Sequence, residues 1–159
     1  MRLTTLALAM LAMLSAGTLF AQKSKAPKPE KPEKAIKAVI NRFFEGMEKG
    51  DTALLKSTCT EAPLLQTYGA DKSGSLKVRT QDFREFVAFI GKPTQNKYDE
   101  RIEFGHIEVE QSLASVWTPY TFYLNDKISH CGTNSFQLVN TADGWKIQYI
   151  IDTRRKDCQ

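Results

Sequence analysis

From Asn96 onward, apolar residues recur at every second position almost to the end of the chain. A period of two held over so long a stretch is the signature of β-strands, whose alternate side chains point to opposite faces. The turn-forming groups "EQS", "ND" and "TADG" divide it into four strands, 99–110, 113–124, 127–139 and 145–153. Connections this short predict an antiparallel meander. In the last strand Trp145, Ile147, Tyr149 and Ile151 are together more apolar than Lys146, Gln148, Ile150 and Asp152, so the first set is assigned to the core. With Asn140 opposite Trp145, Phe136 falls opposite Tyr149 and Asn134 opposite Ile151, and the two strands agree about which side is inside. In the second strand Val116, Thr118, Tyr120 and Phe122 share the inner face. Pro119 is the one place there where a bulge could reverse the parity.

The residues before Asn96 follow a different period. "EKAIKAVINRFFEGMEKGD" sets Ile36, Val39, Ile40, Phe43, Phe44 and Met47 at helical spacing, with Gly50 suited to a left-handed cap. Asp51 caps a second, short helix, "TALLKSTC", with Leu54, Leu55 and Cys59 on its apolar side. "PLLQTYG" and "SLKVRT" predict a strand pair joined by "ADKSG". Thr80 is then expected to cap a third helix, "QDFREFVAFI", ended by Gly91 and Pro93.

The amino-terminal residues belong to no such element. "MRLTTLALAMLAMLSAGTLFAQ" carries Arg2, an apolar run and then small residues, the pattern of a secretory signal peptide over residues 1–21. Residues 22–34, "QKSKAPKPEKPEK", hold five lysines, three prolines and no large apolar side chain, which predicts a disordered tether. The chain has a formal charge of +4. Arg2 and the tether carry that excess, and 35–159 balances. A nucleic-acid-binding domain concentrates positive charge on a folded face, so that class is rejected. Export predicts a secreted or periplasmic protein with no membrane insertion after cleavage.

One segment resists a purely structural reading. In "ISHCGTNSFQLV", Phe136 and Leu138 choose the buried face and bring His130 and Asn134 in with them. An imidazole and a carboxamide on a core face either satisfy buried polar groups or address a cavity.

Two helices, a strand pair, a third helix and a four-stranded meander define an α+β fold, with three N-terminal helices packed on a curved, mainly antiparallel sheet. This order resembles the cone-shaped fold of the nuclear transport factor 2-like superfamily. The segments "DERI", "ASVWTPYTFYLNDKISHCGTNSFQLV" and "DGWKIQYIIDTRR" are similar to its bacterial lumazine-binding branch. The resemblance covers residues 35–158. It implies a pocket at the open end of the cone, between sheet and helices. Superfamily members include isomerases, dehydratases, cyclases, epoxide hydrolases and plain binding modules, so the resemblance fixes the fold and not the chemistry.

A pocket lined by Thr118, Tyr120, His130, Asn134 and Tyr149 suits a small organic ligand, and a flat heteroaromatic ring matches stacking and amide hydrogen bonding. No carboxylate falls on the predicted inner face. Asp152 points outward by alternation, where an ion pair with Arg154 or Arg155 awaits it, unless a bulge near Ile150 turns it inward. Glu100 and Arg101 read as a solvated rim. The sequence therefore predicts binding without catalysis and needs no cofactor. The alternatives are a lyase, isomerase or hydrolase acting through His130 or Asp152, and a dimeric interaction module with no ligand. A buried carboxylate near His130 discriminates in favour of the enzyme. His106 lies in another strand with the opposite parity, so no metal site is expected.

Two pairings complete the reading. Cys59 lies on the inward side of its helix, which leaves Cys131 and Cys158 as the expected disulfide, close to register across the last hairpin. Trp117 and Tyr123 stand among small polar residues on the outer sheet face. Together with the resemblance, they imply a symmetric homodimer through that face.

Overall fold

The computed structural model describes residues 31–158. The expected signal peptide and residues 22–30 of the tether lie outside them. The first helix, α1 (Pro32–Lys49), begins inside the expected tether, because Pro32 takes the first helical turn, where a missing N–H costs nothing. Its buried face is Ile36, Ile40, Phe43 and Met47, and it closes on Gly50 in the left-handed conformation at φ 67°. Asp51 caps α2 (Thr52–Ser57) through the N–H groups of Ala53 and Leu54. Cys59, expected on that helix, instead starts β1 (Cys59–Ala70), where it is buried and free. A turn leads to β2 (Leu76–Gln81), and then to α3 (Phe83–Ile90). The cap of α3 is Asp82, not Thr80, since its carboxylate accepts from the N–H groups of Arg84 and Glu85. The three helices are therefore not one block, because the β1–β2 hairpin separates the third from the first two.

The remaining strands are β3 (Tyr98–Ile102), β4 (Ile107–Glu110), β5 (Leu113–Leu124), β6 (Lys127–Thr141) and β7 (Gly144–Thr153). They form a curved seven-stranded sheet in the order β2-β1-β7-β6-β5-β3, with β4 also paired to β5. Every pairing is antiparallel except β1 with β7. The single strand expected over 99–110 is broken in two opposite Pro119. On that edge of β5 the carbonyls of Pro119 and Trp117 accept from Glu103 and Gly105, and the Trp117 N–H donates to His106. Pro119 has no N–H to give, and the ladder lapses at its position. The parity of β5 survives it: Val116, Thr118 and Tyr120 are all buried.

The core lies between α1, α2, α3 and the inner sheet face, with Ile36, Ile40, Leu55, Phe136, Leu138 and Ile147 fully enclosed. Each such side chain contributes about 1.5–3 kcal/mol by leaving water.

The register of the last hairpin differs from expectation at one residue. Asn140 faces Trp145 as the sequence predicts, and Leu138 faces Ile147, but Gln137 then pairs with Tyr149. Gln148 is an extra residue, and every position after it moves by one. On the other side of β7, the ladder to β1 also slips, between Cys59 and Leu64, a stretch that contains Pro63. A proline inside a paired strand cannot complete a ladder, so the irregularity of β1 and the bulge of β7 sit together. Beyond Gln148 the inner face of β7 is Ile150 and Asp152. Tyr149 and Ile151 have turned away.

The chain end crosses the sheet just past β7. Cys131 exchanges both backbone hydrogen bonds with Arg155, and Cys131 and Cys158 form a disulfide with 5.6 Å between Cα atoms. Gly132 makes the crossing possible. Any Cβ at that position would overlap the Thr153 carbonyl oxygen, which accepts from the Tyr120 hydroxyl at 2.9 Å.

Candidate functional site

A cavity of about 340 Å³ opens between the helices and the inner face of the sheet. Seven phenylalanine and tyrosine rings and His130 line it, beside aliphatic side chains and polar ones that include Gln66, Thr67 and Gln81. Phe86 of α3, Phe43 and Phe44 of α1 and Phe136 of β6 follow one another with centroid separations of 6.1, 5.4 and 6.0 Å. Phe89 of α3 and then Tyr98, Phe122 and His130 of the sheet make a second row at 5.6, 6.4 and 4.8 Å. The second row follows from strand alternation: Tyr98 and Glu100 share a face of β3, Glu100 pairs with Phe122, and Phe122 pairs with His130.

The polar groups converge at the sheet end. Asp152, brought inward by the bulge at Gln148, is saturated. Its Oδ2 accepts from Arg154 Nε at 2.8 Å and from the Tyr120 hydroxyl at 3.1 Å, and its Oδ1 accepts from the Thr67 hydroxyl. Arg154 also donates to Thr67 Oγ1 at 3.2 Å. The expectation that Asp152 points outward is thus overturned, while its pairing with Arg154 holds. Glu100 is less well served. Its Oε1 accepts from Asn134 Nδ2 at 2.9 Å, and Asn134 also reaches Thr118 Oγ1 at 3.3 Å. No ion pair or second hydrogen bond holds Glu100 among the described residues.

These surroundings set the acidities. Burial pushes the Glu100 carboxyl up to about 7, and the like charge of Asp152 adds to the rise, against the Asn134 hydrogen bond and Arg154. Burial, then the positive charge of Arg154, holds His130 down to about 4, so its imidazole is neutral at physiological pH. Tyr120 is raised above the ordinary phenol range by burial, then by the charges of Asp152 and Glu100. At neutral pH the site therefore has a neutral imidazole, a compensated Asp152–Arg154 pair and a carboxyl group poised between its two forms.

The sequence-predicted residues separate into three positions. His130 and Asn134 line the cavity. Thr118 and Tyr120 lie one layer behind it, supporting Asn134 and Asp152 through their hydroxyls. Tyr149 is a correction: the extra residue at Gln148 turns it to the other face, where its hydroxyl donates to Gln66 Oε1 at 2.7 Å. Glu100 is the residue that sequence reasoning missed. The charge pattern of "DER" predicts a solvated rim; alternation with Tyr98 and Ile102 is the signal that could have found it. Arg101 does point to solvent, stacked on Tyr123 at 4.1 Å. No grouping of three or more potential metal ligands occurs among the described residues.

No protein-family model matches the chain, and no curated protein matches it. Solved structures do. A conserved protein from Planctomyces limnophilus superposes with a TM-score of 0.64 at 18% identity, over 77% of this chain and 95% of that one. A nuclear transport factor 2-like protein of unknown function from Shewanella baltica gives 0.60 at 16% identity, over 79% and 94%. A nuclear transport factor 2-like protein with a cystatin-like fold from Novosphingobium aromaticivorans gives 0.61 at 13%, over 79% and 83%.

Proposed function

The chain has the fold of the nuclear transport factor 2-like proteins, and from that premise we propose that its cavity binds a small organic molecule. The observation that carries this reading is the convergence of Glu100, Asn134 and His130 at one end of a cavity rich in aromatic side chains. A molecule with a flat or compact apolar body fits between the two rows of rings, and its polar edge meets the sheet end. A heteroaromatic ligand, as the name of the lumazine-binding branch suggests, is one chemistry of this kind.

A second reading is favoured by Glu100 itself. The sequence argument against catalysis rested on the lack of an inward carboxylate, and two carboxylates face the cavity. Asp152 is fully engaged and serves to fix Arg154 and Tyr120. Glu100 has a free oxygen and an acidity near neutrality, the properties of a group that takes a proton from a bound molecule and returns it. On this reading the protein is an isomerase or lyase with Glu100, not His130 or Asp152, as the proton carrier.

Native mass spectrometry of protein purified from its source tests the first reading, with a retained small molecule expected. That molecule is expected to bind more weakly to the Asn134→Leu variant. Equal affinity for the variant, with the ligand's NMR contacts outside the cavity, would overturn it. The second reading requires that the retained molecule exchange a carbon-bound proton with deuterated solvent, and that Glu100→Gln abolish the exchange.

The partner and compartment readings stand beside these. Trp117 is 52% exposed on the outer sheet face, with Ile128 and Leu113 also exposed. A homodimer through this face is proposed, and sedimentation at micromolar concentration tests it. Export to an oxidising compartment is proposed on the leader-like sequence, and the Cys131–Cys158 pair suits it.

A further inference from the structure

The charges around the cavity do not balance, and the imbalance has a sign. Four acidic or basic side chains line it: Glu100, His130, Asp152 and Arg154. Arg154 is spent on Asp152 and Thr67. The residues contributed by α1 and α3, Phe43, Phe44, Met47, Phe86, Phe89 and Ile90, bring no charge. Tyr98 adds only a phenol. Among the described residues Glu100 has no ion-pair partner of its own: Arg154 acts on it only at a distance, one carboxylate oxygen accepts from an amide, and the other has no hydrogen bond. Seven phenylalanine and tyrosine side chains line the cavity with it, and aromatic rings are partners for cations and not for anions.

We infer that the cavity selects an organic cation, a flat or compact apolar body carrying a protonated nitrogen set against the free oxygen of Glu100. This rests on the reading of the cavity as a ligand site and specifies its ligand class. An anion would meet Glu100 and Asp152, with Arg154 already engaged. A neutral ligand would leave Glu100 uncompensated and therefore protonated for much of the time. A cation restores the missing partner and holds Glu100 ionised. The raised pKa of Glu100 fits a site that waits for such a partner. Cation binding and proton release by Glu100 are thereby linked, so affinity rises with pH as the carboxyl ionises.

Three probes of one shape and different charge decide this: benzamidine, benzamide and benzoate, titrated into the purified protein by NMR and calorimetry. Near pH 8 benzamidine is expected to bind at least about tenfold more tightly than benzamide, with benzoate the weakest, as one unscreened charge contact in a partly buried site provides. Benzamidine affinity is expected to fall between pH 8 and pH 5.5, while that of benzamide stays constant. In Glu100→Gln the preference for benzamidine over benzamide is expected to shrink to about twofold or less. Binding of benzamide or benzoate as tight as benzamidine, or a preference unchanged in Glu100→Gln, overturns the inference and leaves the ligand site standing. Failure of all three probes to perturb the resonances of Glu100, Asn134 and His130 overturns the ligand site and the inference with it.

Discussion

The inner face of the sheet changes character along the length of the same three strands. At one end β5, β6 and β7 present Ala114, Val116, Phe136, Leu138, Trp145 and Ile147, all buried and all apolar. At the other end they present Thr118, Tyr120, Asn134, His130 and Asp152, and β3 adds Glu100. The first end is closed by packing. The second is held by hydrogen bonds that run from Thr118 to Asn134 to Glu100, and from Tyr120 and Thr67 to Asp152 and Arg154. A buried polar network stabilises little over an apolar core of the same shape, because each bond replaces one to water. Its presence at only one end is the contrast on which the proposed ligand site rests.

The contrast is broken most readily from the closed end. Leu138→Ala is expected to cost about 2–5 kcal/mol, since it removes a fully enclosed side chain and leaves a cavity. Chemical denaturation measures this, and Asn134→Leu at the open end is expected to cost less than about 2 kcal/mol on the same scale. Equal losses at the two ends would make Asn134 a structural residue. Replacing Cys131 and Cys158 together by alanine is expected to cost roughly 3–4 kcal/mol by loop-closure entropy, and to leave Leu138 as buried as before. Gly132→Ala follows at about 1–3 kcal/mol, because its Cβ forces the Thr153 backbone away and with it the acceptor of the Tyr120 hydroxyl. Near-ultraviolet circular dichroism in this variant should report a changed tyrosine environment.

How much of this could be read beforehand divides along the same line. The closed end was legible: Phe136, Leu138, Trp145 and Ile147 alternate without interruption, and Asn140 fixes their pairing with Trp145. Short turns set such a register locally. The open end was legible only in part. His130 and Asn134 were found because they ride on a face chosen by their neighbours. Asp152 was assigned to the wrong side because one extra residue, Gln148, flips everything after it. That bulge answers an irregularity in β1 around Pro63, far away in sequence and paired to β7 in parallel. No local pattern in 145–153 contains it. Glu100 was lost for a different reason. Its alternation pointed inward, but a carboxylate between two charged residues looks solvated unless the cavity is known. Helix caps show the same limit on a smaller scale: Thr80 and Asp82 are both good caps, and the entry of β2 into α3 selects Asp82.

The two titrating groups of the open end give a smaller but more diagnostic effect. Glu100 ionises less readily in the folded protein than in the unfolded chain, so between its ordinary range near 4.5 and about 7 the native state holds the extra proton. Its contribution to stability therefore falls as pH rises through that window. His130 does the opposite: the unfolded chain binds the proton between about 4 and 6.5, so stability rises there with pH. In the wild type the two slopes oppose each other from about pH 4.5 to 6.5. In Glu100→Gln only the His130 slope is left, and denaturation midpoints are expected to climb visibly over that range. The same variant is expected to be more stable than wild type near pH 8, by an amount bounded at about 3 kcal/mol.

The state of Glu100 is what separates a ligand site from a merely polar end of the core, and carbon-detected NMR reads it directly. The side-chain carboxyl resonance, assigned by its loss in Glu100→Gln, is followed from pH 4 to pH 9 in ligand-free protein. A midpoint near 7 is expected. A midpoint below 5 would mean that Glu100 is solvated as an ordinary surface carboxylate, and the open end would then have no half-buried carboxylate lacking an ion-pair partner to offer a ligand.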